Sequence, residues 1–91
     1  MSTTTSLTPT IPDAGAFISA VLAVPQDQAI SIQVYQEVVF TVEGSLDQLT
    51  FVPIVNLGIP GIYKLDPGAL VIRLRADVAG IAPYALVMSP P

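Results

Sequence analysis

The sequence has no cysteine, no histidine and no tryptophan among its 91 residues. The missing residues exclude disulfide-stabilised scaffolds, thiolate or imidazole metal sites, Ser-His and Cys-His nucleophile systems, and a histidine pH switch. Charge is scarce as well. Only 11% of the residues are charged and 52% are hydrophobic, whereas about 25% are charged in an ordinary soluble domain.

The few charges also argue against several kinds of partner. Lys64, Arg73 and Arg75 are the only basic residues, and the net charge is −4. Three dispersed cations do not make the basic surface that nucleic acids or anionic membranes require. The acids are Asp13, Asp27, Glu37, Glu43, Asp47, Asp66 and Asp77. They are spread singly, so neither a catalytic carboxylate pair nor a calcium loop is indicated. We therefore predict a protein that is not an enzyme and has no metal and no cofactor.

Membrane insertion is not indicated by the hydrophobic runs. The strongest run, residues 14–24, has eleven residues and ends at Pro25, whereas a spanning helix needs about 20. The longest uncharged stretch, residues 48–63, is interrupted by proline and glycine. The first twelve residues carry no basic residue, so a signal peptide is not predicted either. We expect synthesis in the cytoplasm.

Beyond residue 12 apolar side chains recur at every second position, which is typical of half-buried β-strands. Ile30, Ile32 and Val34 share one side of residues 29–35, and Ile72 and Leu74 share one side of residues 69–76. Further strands are predicted in residues 37–43, 46–57, 62–65 and 81–88. Six to seven short strands predict an all-β, single-domain antiparallel sandwich or barrel over residues 13–91.

Turn and edge residues refine this prediction. Gly44-Ser45 is predicted to be a hairpin connection, and Pro60-Gly61 and Pro67-Gly68 each fit a type II turn. Pro53 lacks a backbone donor, so its strand is predicted to lie at a sheet edge or to break there. Lys64 is predicted to protect an edge strand from further pairing.

Residues 14–24 leave two alternatives open. Asp13 is a possible helix cap, with Phe17, Val21 and Leu22 as an apolar stripe. Gly15, the β-branched residues and the β character of the remaining chain favour a strand.

Residues 1–12 form a separate segment that is uncharged, rich in threonine and interrupted by proline. We predict an extended N-terminal arm. One alternative is a frayed terminus, and the other is an arm that pairs with a neighbouring subunit through Leu7 and Ile11.

The apolar fraction exceeds what one small core can hide, and large exposed apolar patches usually mark contact with a partner. Arg73 and Arg75 lie on one face of a predicted strand. They are expected either to pair with Asp77, Glu37 or Glu43 or to contact a neighbouring subunit. Other candidate contacts are Pro53, Ile59 and Ile62, within the stretch from Pro53 to Ile62. We predict assembly with like subunits.

The uncharged arm (residues 2–12), the acidic, cysteine-free β body and the proline-ended tail resemble the small virion proteins of tailed bacteriophages, especially capsid decoration (cement) proteins. The resemblance implies a structural role in the virion, with like subunits and a major capsid or other virion protein as partners. A tail or baseplate component, and a small glycan- or ligand-binding β module, are the alternatives.

Overall fold

A computed structural model of the chain describes residues 3–24 and 28–89. Residues 1 and 2 of the predicted arm, Asp27, and the last two residues of the predicted β domain lie outside the described residues. The described residues form ten strands: β1 (Thr3–Leu7), β2 (Ile11–Asp13), β3 (Ala16–Ile18), β4 (Leu22–Ala23), β5 (Ile30–Val34), β6 (Phe40–Ser45), β7 (Val52–Leu57), β8 (Gly61–Leu65), β9 (Val71–Ala76) and β10 (Ala85–Ser89).

The strands form two antiparallel sheets. Sheet one has four strands in the order β1-β10-β5-β8. Sheet two has six strands in the order β2-β3-β9-β6-β7, with β4 also paired to β9. The all-β prediction is confirmed. Over the described residues the sheets stay open rather than closing into a barrel, and both contribute to one apolar core.

The alternation of apolar residues explains where the core lies. On β5 the side chains of Ile30, Ile32 and Val34 are buried, and on β9 those of Ile72 and Leu74 are buried. Because side chains of a strand alternate between its faces, each of these sets covers one side of its sheet. Both sets belong to the same core cluster, so the two sheets face each other across it.

Residues 14–24 form two short strands, β3 and β4, rather than a helix. The break between them is at Ser19, which is buried. Its backbone N–H donates to the carbonyl of Leu74 at 2.9 Å, and its hydroxyl accepts from the N–H of Leu74 at 2.9 Å. The hydroxyl of Ser19 thus accepts the hydrogen bond that a backbone carbonyl would accept in a regular ladder. The alternation of apolar residues in the sequence does not reveal this hydrogen bond.

Most of the predicted arm is part of the two sheets. β1 pairs along its full length with β10 in sheet one, and β2 pairs with β3 in sheet two. Two strands from this segment and the division of residues 14–24 account for ten strands instead of seven. Ala14 and Gly15, with φ of 49° and 82°, make the two-residue turn between β2 and β3, as type I′ hairpins require.

The hairpin after β6 lies later than predicted. Gly44 and Ser45 belong to β6, and Gly44 is paired with both Val52 and Ile72. A Cβ atom at Gly44 would lie 2.6 Å from Cδ1 of Ile54, so a glycine is needed inside the strand for close packing, not for a turn.

Both edge predictions are confirmed. β7, which contains Pro53, is the last strand of sheet two, and its register with β6 shifts between Val42 and Glu43. β8, which contains Lys64, is the last strand of sheet one. Of the two predicted turn glycines, Gly68 has φ of 60°, while Gly61 begins β8.

Candidate interaction surface

The outer face of sheet two carries two ion pairs that use both arginines. Nε of Arg73 donates to Oε1 of Glu43 at 2.9 Å, across β9 and β6. Nη1 of Arg75 donates to Oδ2 of Asp13 at 2.7 Å, and its Nη2 donates to the backbone carbonyl of Asp13 at 3.0 Å. The guanidinium of Arg73 also stacks on Phe51, 3.9 Å from the ring centroid.

The pair of Arg75 and Asp13 stabilises the charged forms of both groups. The hydrogen bond from Arg75 holds the pKa of Asp13 below its ordinary value, and the same bond raises the pKa of Arg75. The pairing of Arg73 with Glu43 confirms one of the two predictions made for the arginines. Contact between these arginines and a neighbouring subunit stays a prediction, and the internal partners would compete with it.

Sheet one presents a very different outer face. Its four strands have five residues each and include a single charged residue, Lys64. A shallow depression of about 140 Å³ lies on this face. It is lined by Thr4, Ser31, Gln33, Ile62, Leu86 and Met88, which we call the sheet-one face.

The register explains why these side chains meet. Met88 of β10 is paired with Thr4 of β1 on one side and with Ser31 of β5 on the other. Gln33 of β5 is likewise paired with Leu86 of β10 and with Ile62 of β8. Directly opposed residues of an antiparallel pair point to the same face. Apolar and neutral polar side chains therefore form one continuous surface, with the exposed Lys64, which is paired with Ser31, at its β8 margin.

Apolar exposure extends beyond this face. The accessible surface is 5154 Å², close to the roughly 5,000 Å² expected for a monomer of this mass. The total area is therefore ordinary. Among the described residues twelve large apolar side chains are exposed: Ile11, Val21, Tyr35, Val39, Leu46, Leu49, Val52, Ile59, Ile62, Val78, Ile81 and Met88. They are spread over strands, turns and loops at both ends of the sheets.

A larger cavity, of about 340 Å³, lies where the β6–β7 connection meets the turn before β9. It is lined by Gly44, Ser45, Leu46, Asp47, Thr50, Val52, Ile54, Pro67, Gly68 and Ala69. No lining residue is aromatic, so the cavity offers no flat ring on which a sugar would stack.

The carboxylate of Asp47, at the cavity rim, accepts hydrogen bonds from groups of its own loop. Its Oδ1 accepts from the backbone N–H groups of Thr50 and Leu49, at 2.8 and 2.9 Å, and from the hydroxyl of Ser45 at 2.8 Å. These hydrogen bonds, with that from Thr50 the strongest, lower the pKa of Asp47 to about 2. The carboxylate shapes the loop and has little capacity left for acid–base chemistry.

The structure does not bring the predicted contact residues together. Leu7 is 3% exposed and belongs to the chain's own core, which corrects its prediction as a contact with a neighbouring subunit. Ile11 is exposed on β2 and Pro53 on β7, at opposite edges of sheet two. Ile59 lies in the connection after β7, and Ile62 lies on the sheet-one face.

Sequence reasoning missed Leu86 and Met88 as surface residues and missed the 340 Å³ cavity. The signal for the first pair was present, because Leu86 and Met88 alternate with the buried Ala85 and Val87. The cavity is lined by two segments about twenty residues apart in sequence, so no local sequence pattern predicts it.

Within residues 3–24 and 28–89 no cluster of three metal-ligating side chains is found. The same residues include no helix with the length and hydropathy needed to cross a membrane. Comparisons of the chain with protein-family models, curated proteins and solved structures found no match.

Proposed function

We propose that this chain is a non-enzymatic structural subunit of a larger assembly, of the capsid decoration type, which binds the shell of a bacteriophage together with like subunits. The observation that carries the proposal is the surface composition. A chain of ordinary total area exposes twelve large apolar side chains within residues 3–24 and 28–89, and it has only ten charged residues in its sequence. Exposed apolar area of this kind is stabilised when a partner covers it.

The sheet-one face is the surface that we propose contacts the shell. It combines apolar and neutral polar side chains, and its one charged residue, Lys64, lies opposite Ser31 at the margin formed by the edge strand β8. Charged residues are depleted at the centre of protein interfaces. Covering this face would leave the paired arginines of sheet two in contact with solvent, where they keep the assembly soluble.

The mechanism is one of shared burial. Each bound copy covers apolar area on the shell and on itself, at about 25 cal/mol per Å² before the costs of association are subtracted. Many copies on one shell make detachment of the whole layer much less favourable than detachment of a single copy. Exposed side chains at both ends of the sheets offer contacts to more than one neighbour.

The test measures co-sedimentation of the purified chain with capsids of the phage that encodes it. Ile62→Lys places a charge on the sheet-one face, and Ile81→Lys is the matched control. Both residues are isoleucines, exposed by 74% and 75%, but Ile81 lies in the loop before β10. We expect Ile62→Lys to weaken capsid binding roughly tenfold or more, equivalent to about 1.4 kcal/mol. Ile81→Lys should change binding by less than about threefold.

Equal binding of all three proteins would contradict a role for the sheet-one face. Absence of binding to capsids, with binding to purified tails or baseplates instead, would support the tail or baseplate alternative. A chain that binds neither and stays monomeric at high concentration would contradict the structural proposal as a whole.

The 340 Å³ cavity favours a second candidate function, a small-ligand-binding module. Its volume falls within the range of about 300–1,000 Å³ that is usual for ligand sites. Apolar side chains with a few hydroxyl groups suit a small, mostly apolar ligand better than a sugar. The test is a thermal-shift screen with apolar compounds and glycans, because a ligand that binds the folded state raises the melting temperature. Val52→Arg at the lining should abolish any shift caused by binding in this cavity.

A further inference from the structure

The described residues include five edge strands: β1 and β8 in sheet one, β2 and β7 in sheet two, and β4, which has two residues and pairs only with β9. All of them except β1 carry features that oppose further pairing. β2 has only three residues and includes Pro12. β7 contains Pro53 and a register shift. β8 carries Lys64. Short length, proline, irregular register and lysine are the usual devices by which natural sheets prevent edge-to-edge association.

β1 differs from the other four edges. It has five residues, Thr-Thr-Thr-Ser-Leu, with no proline and no charge, and it pairs with β10 without a register shift. Threonine is favoured in strands. Among the described residues, the backbone hydrogen bonds of β1 are those of its ladder with β10. Its other side is therefore open to a further strand.

From this contrast we infer that β1 pairs with β1 of a second copy of the chain, antiparallel and across a two-fold axis. The two four-stranded sheets then become one eight-stranded sheet. The inference rests on the proposal that like subunits assemble, and it names the edge at which they meet. A two-fold axis uses the same edge on both copies, so the assembly closes as a dimer.

The side chains of β1 suit this pairing. Full overlap of Thr3–Leu7 with its copy centres the pair on Thr5 and places Thr4 opposite Ser6 of the second copy. Thr–Thr and Thr–Ser pairs across antiparallel strands are stabilising, and no like charges oppose each other. Both Thr4 and Ser6 are exposed in the single chain.

Continuity of the surface supports the same partner. Thr4 is part of the sheet-one face and lies next to Met88. Joining two copies at β1 would bring their sheet-one faces side by side and double the neutral surface offered to a shell. The same join at β8 would bring two strands that each carry Lys64 together.

The chain has no cysteine, so single introduced cysteines report this contact without background. Directly opposed Cα atoms lie about 4.5–5.5 Å apart, within the range that a disulfide can bridge. Thr4→Cys mixed with Ser6→Cys should therefore crosslink on oxidation. Each variant alone should crosslink roughly tenfold more slowly, because residue 4 lies about 8 Å from residue 4 of the second copy in this register.

Sedimentation equilibrium gives the second measurement. The wild-type chain is expected to form a dimer of twice its 9.5 kDa mass. Thr4→Lys should raise the dimer dissociation constant roughly tenfold or more, because it introduces charge into the pairing edge. Thr50→Lys is the matched control, since Thr50 is equally an exposed threonine but lies in the β6–β7 connection, and it should leave the dimer unchanged.

A wild-type chain that stays monomeric over the concentration series overturns the inference. So does a dimer that survives Thr4→Lys, or one in which the Thr4→Cys and Ser6→Cys mixture fails to crosslink. Capsid binding by a strictly monomeric chain would contradict the β1 pairing and support the proposed function. A crosslinked dimer that binds no virion component would support the β1 pairing and contradict the proposed function.

Discussion

Two tyrosines of this chain should respond in opposite ways to the same substitution. Tyr84 is 1% exposed, and its hydroxyl has no hydrogen-bond partner among the described residues. Tyr63 donates its hydroxyl proton to the carbonyl of Ile59 at 2.6 Å. Replacing each tyrosine by phenylalanine removes one oxygen atom, and the difference between them is whether that oxygen was paired.

The magnitude for Tyr84 follows from its surroundings. Leaving a buried hydroxyl unpaired costs about 1–3 kcal/mol. Phenylalanine keeps the edge-to-face contact with Phe40, whose ring centroid lies 5.4 Å away, and the small void left by the oxygen offsets part of the gain. We expect Tyr84→Phe to raise the free energy of unfolding by about 1 kcal/mol, or the melting temperature by about 4–8 °C in a domain of this size.

Tyr63→Phe is the matched control and should lower the free energy of unfolding by about 0.5–1.5 kcal/mol, because it removes a made hydrogen bond. Urea unfolding followed by circular dichroism, together with scanning calorimetry, measures both variants. If Tyr84→Phe destabilises the chain as much as Tyr63→Phe does, the Tyr84 hydroxyl has a partner and the assignment is wrong.

Alkaline pH gives an independent check on Tyr84. Burial raises the pKa of its phenol above the ordinary value of 10.0. The folded state therefore holds this proton more tightly than the unfolded state does. The resulting stability is fully present below pH 10 and is lost as the pH rises through the folded-state pKa. Tyr84→Phe should remove this contribution, so the wild-type chain should lose stability more steeply than the variant above pH 10.

Substitutions at three further positions, Ala14, Gly44 and Asp47, test local features by thermal or urea unfolding. Ala14→Asn should stabilise the chain by about 0.5–1 kcal/mol, because asparagine tolerates the φ of 49° better than alanine does; no gain would contradict strain at this turn. Gly44→Ala should destabilise it by about 1–3 kcal/mol, since the new methyl group would lie 2.6 Å from Cδ1 of Ile54. Adding Ile54→Val should recover part of that loss, and a strictly additive pair would count against the contact. The N–H of Thr50 and other donors lower the pKa of Asp47 from 3.8 to about 2, so its stabilisation is present above pH 3.8 and lost as the pH falls toward 2. Asp47→Asn should flatten this acid limb of the melting-temperature profile, and an unchanged profile would contradict it.

The all-β class was predictable because alternation is dense and local. Ile30, Ile32 and Val34 on β5, and Ile72 and Leu74 on β9, each specify a buried side without knowledge of the partner strand. Pro53 and Lys64 predicted edges correctly for an equally local reason, since a missing donor or a charge is incompatible with a central strand.

The structural features that were not predicted from the sequence depend on contacts between distant segments. The assignment of residues 3–7 to sheet one requires β10, about eighty residues later, as a partner. Gly44 resembles a turn residue in sequence, whereas its role follows from close approach to Ile54 and Ala69. The sheet-one face has the same origin, because Leu86 meets Gln33 and Ile62 only through the register of three strands.

The pairing of β1 with β10 also affects how the chain folds during synthesis. Residues 3–7 are synthesised before the strand that receives them, because residues 85–89 are the last of the described strands to be made. Until then a neutral, threonine-rich segment has both of its edges free, and sheet one lacks the strand that joins β1 to β5. Docking of β10 therefore completes its ladders with β1 and β5 at once. It also covers one edge of β1, which other nascent chains would otherwise be free to bind.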